Sequence, residues 1–487
     1  MVRKNNEASG RHLLISPNQT LFSRRHNRSW LKVSKGSVPL DLGYCGTDLQ
    51  KKGYEVKLVL ANRYDLSLEE VEDEIRKFNP DTIGISSASG YVCPGGLIEP
   101  TLRVLGLLRE KFPHLRTIAF GGNAHYFTEK LLDVGADVLI RKEPELKYAE
   151  IMDNISNLSS VNGISFKQDG EIIHNPDDQE LPDLNEMGPI NYHLFKEDVL
   201  RIELNPMTYD YAIPSKKLVT LETSRGCPYL CIFCNMRYHR GKLVRFKDID
   251  KVIEEIKYYK SEFGIDAFYI PDNTFTINRQ HTMDICERIS ELPYKIYWRA
   301  VTRPDYIDPD LLKKMKAAGC YQISFGLETA DDKMLKKAKK KFTAKDVESA
   351  VKMCKQAGIK TSLFSIFFLP GETMENINHT LRFMAALKPL WIGANIATPS
   401  PYTDLYKMGQ AEGKLTGERL LEECIEYAGS IGTDFEPTEV KRIYNKIRKQ
   451  IMLINLTSDP LSILRYLFNV LINPRDFISF VSNYLKT

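Results

Sequence analysis

Residues 225–236 read RGCPYLCIFCNM. Cys227, Cys231 and Cys234 fall within eight positions, and the other six cysteines are scattered singly along the chain. The preceding segment, KKLVTLETS, is strand-like and is ended by Arg225-Gly226. The three thiols therefore lie on a loop just after a strand. Three readings compete. Structural zinc usually needs four ligands, and the offset of His239 from Cys234 matches no common finger spacing. Three unrelated buried cysteines are the second reading. The third is an iron–sulfur site, in which three protein thiolates leave one iron of a cubane without a protein ligand. That iron could bind a substrate or cofactor directly.

Downstream, strand-like and helix-like segments alternate. DIDKVIEEIKYYKSEFG, HTMDICERISEL, DPDLLKKMKAAG, TAKDVESAVKMCKQAG and MENINHTLRFMAALKP carry helical spacing. Between them lie the strand-like DAFYIPDNTFTIN, YKIYWRAVTRPDYI, CYQISFGLETA and IKTSLFSIFFLPGET, with LWIGANIATPSPYTDLY after the last helix. This predicts a partial (β/α) barrel whose active face is formed by the loops after its strands. Asp272, after one such strand, either acts there or caps the next turn. The lysine run LKKAKKKF (335–342) reads as a solvated helix face or as a phosphate holder. Cys45, Cys93, Cys286, Cys320, Cys354 and Cys424 read as core or neutral.

The first 160 residues alternate in the same way. RHLLIS, YEVKLVLA, DTIGISSAS, RTIAFGGNA and ADVLI are strand-like, with helical segments between them. The pattern predicts an α/β fold with a doubly wound parallel sheet. Such sheets bind ligands at the carboxyl ends of their strands, which here carry Ser86–Ser89, Gly121–Gly122 and Lys142–Glu145. Gly121-Gly122 also reads as a plain turn. No GxGxxG fingerprint is present, which argues against NAD. GISFKQDGEIIHN reads as a hairpin turning at Asp169-Gly170, and PDDQELPDLNEMGPI as a linker.

The bulk properties agree with these readings. A chain of 487 residues suggests about three domains. A net charge of +4 implies no global attraction to nucleic acid. The N-terminus has no apolar run suited to a signal peptide, and nothing approaches the ~20 apolar residues of a membrane span. An odd set of nine cysteines with no secretory signal predicts a reducing, cytoplasmic setting.

VPLDLGYCGTDLQKKGYEV, DTIGISSAS, AFGGNA and the KEPE after ADVLI resemble the cobalamin-binding domain of cobalamin-dependent radical S-adenosylmethionine enzymes. The Asp-x-His-x-x-Gly motif of many cobalamin domains is absent, as it often is in this subgroup. Lys142 stands where the subgroup has Gly in Gly-Glu-x-Glu, while Glu143 and Glu145 remain. The Cys-x3-Cys-x2-Cys spacing resembles the radical signature. The likeness extends over about residues 11–415. It implies a [4Fe-4S] cluster on Cys227, Cys231 and Cys234, all three grouped because one cluster needs them on one loop. It implies Phe233 near the adenine of S-adenosylmethionine, Asp272 and Asn273 at its methionine amino group, and Glu328 at its ribose or methionine part. Cobalamin would sit on Ser87, Ser89, Gly121, Gly122 and Glu143 without a protein histidine on cobalt. LPGET (369–373) and TPSPYTDLY (398–406) resemble two further family segments. Tyr402 replaces the usual Gly of the second, so the backbone is expected to run differently there.

The implied layout is residues 1–155 for cobalamin, 156–212 as hairpin and linker, 213–415 as the radical domain and 416–487 as a C-terminal helical cap. The implied activity is radical methylation of an unactivated carbon, less often phosphorus, with an external electron donor of flavodoxin or ferredoxin type. A carbon without an acidic proton must first lose a hydrogen atom, which the family achieves with a 5′-deoxyadenosyl radical. A radical cyclase of the anaerobic porphyrin-ester type is the alternative within the class. A non-catalytic corrinoid or redox module is the alternative outside it. No segment spells the substrate. In the tail, SILRYLFNVLI groups Ile463, Leu464, Leu467, Phe468 and Leu471 on one side. It reads as a cap over the barrel, or as an interfacial helix that meets a membrane or a lipid-like substrate.

Overall fold

RHLLIS, TIGIS and RTIAF carry apolar runs at their centres and are buried along almost their whole length, as strands covered on both faces must be. In the computed structural model they form β1 (Arg11–Ser16), β3 (Thr82–Ser86) and β4 (Arg116–Phe120). The structure describes residues 10–18, 39–87, 98–122, 124–200, 213, 215–417 and 420–458. It divides into two units, Met1–Val199 and Leu200–Thr487.

The first unit holds one seven-stranded sheet. With β2 (Glu55–Leu60), β5 (Val138–Ile140), β6 (Ile164–Gln168) and β7 (Glu171–His174), its order is β2-β1-β3-β4-β5-β6-β7. The first five strands are parallel, with Leu14 opposite both Leu58 and Gly84. Helix α1 (Leu40–Lys51) buries Leu42, Cys45 and Leu49, the periodicity read from the sequence. Helix α2 (Leu68–Phe78) starts at a Ser67–Glu70 capping box. The hairpin β6–β7 turns at Asp169 (φ 51°) and Gly170 (φ 86°), two positive φ values in succession.

Two expectations change here. The sheet is mixed, because β6 runs antiparallel to β5, with Leu139 opposite Ser165. The hairpin set apart with residues 156–212 therefore completes this sheet. A three-residue β5 would otherwise leave an unpaired edge.

The second unit contains the predicted partial barrel. Its strands are β8 (Val219–Thr220), β11 (Ala267–Ile270), β12 (Tyr297–Thr302), β13 (Cys320–Glu328), β14 (Lys360–Phe367) and β15 (Trp391–Ile396). They are all parallel, in the order β15-β14-β13-β12-β11-β8. A short antiparallel ribbon joins β9 (Ser224–Arg225) to β10 (Arg245–Phe246). Phe268, Trp298, Phe325 and Phe367 fill the core, and the Trp298 indole donates to the Ala318 carbonyl at 2.8 Å. Because the sheet is open, β15 is an edge. The C-terminal helix Pro437–Ser458 lies along it. Asn455 accepts from Ile392 N at 2.8 Å and donates to Ile392 O at 3.1 Å, while Tyr444 donates to Ala394 O at 2.7 Å. The expected C-terminal helix thus lies along the sheet edge. SILRYLFNVLI lies outside the described residues.

Candidate functional site

In an all-parallel sheet the carboxyl ends of the strands share one edge. The cysteine loop after β8, Asp272 and Asn273 after β11, Arg303 after β12, Glu328 ending β13 and Glu372 after β14 therefore converge. Asp272 is 2% exposed, and both its oxygens are engaged. One accepts from Thr223 N at 3.0 Å, and the other from Thr223 Oγ1 at 2.5 Å and Ser224 Oγ at 2.7 Å. Burial pushes its pKa up to about 6, against the pull of these donors. Asn273 Nδ2 donates to the Gly226 carbonyl at 3.3 Å. The Asp272 carboxylate clamps the start of the cysteine loop.

The loop is anchored along its length. Cys227 N donates to Gly241 O at 3.1 Å, Cys234 N to Cys231 O at 3.0 Å and Ile232 N to Ala338 O at 3.3 Å. Leu405 N in turn donates to Ile232 O at 2.9 Å. Gly226 adopts φ +109°, and a Cβ there would run into the Leu243 carbonyl. Before it, Glu222 and Arg225 form a buried ion pair at 2.6 Å. Ile232 packs with Leu369, Ala397, Leu405 and Ile431, and Phe233 lies against the same cluster.

Two cations flank the thiols, and sequence reasoning missed both roles. Lys340 turns inward, 10% exposed, and pairs with Glu328 at 2.7 Å. Its ammonium stands 5.6 Å from the Phe233 ring centre. Lys336, Lys337, Lys339 and Lys341 are exposed as expected, so the solvated-face reading fails at Lys340 alone. The redirection follows from Lys339, whose φ of +59° reverses the chain after the helix Asp332–Lys337. Arg303 is held by Asp305 at 2.8 and 3.0 Å and lies 3.8 Å over the Tyr229 ring. Burial raises the Cys227 and Cys231 thiols, and Lys340 and Arg303 pull both back down.

Non-glycine residues take left-handed φ at three neighbouring places on this face: Glu328 (+62°), Phe368 (+66°) and Tyr402 (+64°). Such backbone persists only where its surroundings enforce it. Glu372 accepts from Phe368 N at 2.5 Å and Leu369 N at 3.1 Å, and burial lifts its pKa to about 7. Tyr402 keeps the glycine-like conformation despite its side chain, contrary to the expected change of path. Its ring stacks on Tyr238 with centroids 3.9 Å apart.

In the first unit, the chain order reverses between β1 and β3, which marks the ligand crevice of such sheets. Ser87 is buried there. Its amide donates to Phe120 O at 2.7 Å, and its Oγ has no hydrogen-bond partner among the described residues. Ser86 Oγ donates to Asp41 at 2.5 Å. Gly121 takes φ +98°, Gly122 is exposed and Glu143 is buried. Ser89 lies outside the described residues. His125, just after the glycines and passed over in the sequence, has its pKa lowered to about 4 by burial and is neutral at pH 7.

These donor sets fit the expected groups. Three thiols on one anchored loop with two cations beside them suit an anionic thiolate cluster. A buried hydroxyl in want of a partner, beside glycines at strand ends, suits a large ligand lying close to the backbone. Among the described residues, no three His, Cys, Asp or Glu side chains converge as a single-ion site. The cluster assignment rests on the loop and its spacing.

Residues 221–384 match the Radical SAM superfamily. Over 409 residues the chain is 28% identical to an uncharacterized methyltransferase of Pyrococcus horikoshii, covering 83% of each. It is 26% identical over 409 residues to the anaerobic magnesium-protoporphyrin IX monomethyl ester cyclase of Rubrivivax gelatinosus, covering 82% of this chain and 69% of that one. Among solved structures, the radical S-adenosylmethionine methyltransferase TsrM of Kitasatospora setae, with cobalamin and a [4Fe-4S] cluster bound, matches with a TM-score of 0.64 at 18% identity. That match covers 83% of this chain and 76% of that one, and at this identity the likeness is one of fold.

Proposed function

We infer that this chain, whose residues 221–384 match the Radical SAM superfamily, methylates an unactivated carbon, or less often phosphorus, of a small substrate. The observation that carries this reading is the anchored three-cysteine loop, in a chain that also bears the switch-point sheet. Cys227, Cys231 and Cys234 would hold a [4Fe-4S] cluster, and S-adenosylmethionine would lie beside it against Phe233. Cobalamin would occupy the crevice at Ser87, Gly121 and Gly122. When bound, these groups supply hydrogen abstraction and a methyl group, which no side chain can supply.

The chain's own share is positioning and shielding. Asp272 and Asn273 hold the loop at its start, and Ala338 and Leu405 hold its middle. Lys340 and Arg303 offset negative charge at Cys227 and Cys231. Glu328 is already paired with Lys340, so the pair as a unit would face the ribose or methionine part of S-adenosylmethionine. The first electron would come from an external donor of flavodoxin or ferredoxin type.

The test is anaerobic incubation of the reconstituted enzyme with a low-potential reductant, methyl-labelled S-adenosylmethionine and candidate substrates. Label enters the product, with 5′-deoxyadenosine and S-adenosylhomocysteine formed in about equal amounts. A product formed with 5′-deoxyadenosine but without label or S-adenosylhomocysteine would transfer the assignment to the cyclase reading, which the Rubrivivax relative supports. No cleavage of S-adenosylmethionine at all would leave a non-catalytic corrinoid module.

A further inference from the structure

Helix Pro437–Ser458 has two faces that differ from those of an ordinary surface helix. Val440, Ile447, Ile451 and Asn455 are buried, and Tyr444 and Asn455 bond β15. These positions advance by three and four residues and form one stripe. The opposite stripe should be polar throughout. Instead Met452, Leu453 and Leu456 are 39%, 59% and 48% exposed. At 3.6 residues per turn, Arg442 and Lys449 fall on the same outward stripe as Leu453 and Leu456. Lys441 and Lys446 are exposed on its flanks. Among the described residues only Glu439 answers these cations, reaching Arg442 at 3.7 Å.

We propose that this outward stripe docks the protein onto an anionic phospholipid surface, with Arg442 and Lys449 at the headgroups and Met452, Leu453 and Leu456 in the interfacial layer. Cations and exposed apolar side chains pointing the same way off one helix are the pattern of an interfacial helix. Among the described residues no helix is long and apolar enough to cross a membrane. The inference is independent of the reaction assigned above.

The experiment is co-sedimentation of the full chain with vesicles of phosphatidylglycerol and phosphatidylcholine, and with phosphatidylcholine alone. The wild type sediments with the anionic vesicles. Replacing Met452, Leu453 and Leu456 together by Gln lowers that partition by about tenfold or more, with helix content by circular dichroism unchanged because the buried stripe at Val440, Ile447, Ile451 and Asn455 is left intact. Replacing Arg442 and Lys449 by Gln removes the preference for anionic over neutral vesicles. Wild-type protein that stays in the supernatant, or a triple variant that binds as well as the wild type, overturns the proposal. So does a wild-type dimer in vesicle-free light scattering that the triple variant dissociates, because the stripe would then belong to a second copy of the chain.

Discussion

Asp272 shows how a charged side chain at a functional face serves by clamping the start of a loop. Replacing it by Ala would orphan three buried donors, at about 1 kcal/mol each. The expected loss is about 3 kcal/mol in chemical denaturation, with less iron retained per chain after reconstitution. Unchanged stability and iron content would show that the clamp is dispensable. Its titration adds a second signature. Below about pH 4 the carboxyl is protonated in both folded and unfolded chains. Between there and its folded pKa of about 6, the unfolded chain ionises first. The native state then binds more protons, so this group's contribution to stability falls as pH rises through that window. Asp272→Asn cannot ionise, so its stability relative to the wild type should improve from pH 4 to 7. A pH-independent difference would refute this. That position 272 matters was legible in the sequence. Which way its side chain turns was not, because its partners Thr223 and Ser224 lie 49 and 48 residues earlier. Lys340 was hidden for a related reason. A run of lysines gives no sign of which one follows a left-handed residue and is thrown inward.

At the scale of elements, alternation of strand and helix was readable almost throughout, since period-2 and period-3.6 patterns are properties of contiguous residues. The antiparallel hairpin on the first sheet was misplaced because strand pairing is set by which edge lies open, a non-local fact. The cysteine loop shows the opposite case, a local segment whose conformation its own residues nearly determine. Gly226 supplies the left-handed φ and the close approach to Leu243 that let Cys227 bond Gly241. Gly226→Ala would have to rebuild that crossing. After anaerobic reconstitution the variant should lose the brown iron–sulfur absorbance, as the chain with Cys227, Cys231 and Cys234 all replaced by Ala should. A Gly226→Ala protein with wild-type absorbance would mean that the loop tolerates another path. Tyr402 marks a limit of such reasoning. A left-handed tyrosine costs of order 1 kcal/mol, and an aromatic stack returns about as much, so the substitution from Gly alone could not predict the backbone.

At the scale of the whole molecule, the second sheet is open by construction. Six strands in a row leave a free margin at β15. Asn455 answers the Ile392 amide and carbonyl with one side-chain amide, as a neighbouring strand would with its backbone. Asn455→Leu keeps the volume and removes both bonds. It should destabilise the protein by about 2 kcal/mol and, on warming, raise thioflavin binding and light scattering well before global unfolding. Scattering that tracks the wild type would show that the helix alone suffices. A barrel that stops short of closing remains a template onto which another chain could add strand by strand. One carboxamide, borrowed from a helix, writes the end of that template and keeps a catalytic half-shell from becoming the first layer of a fibre.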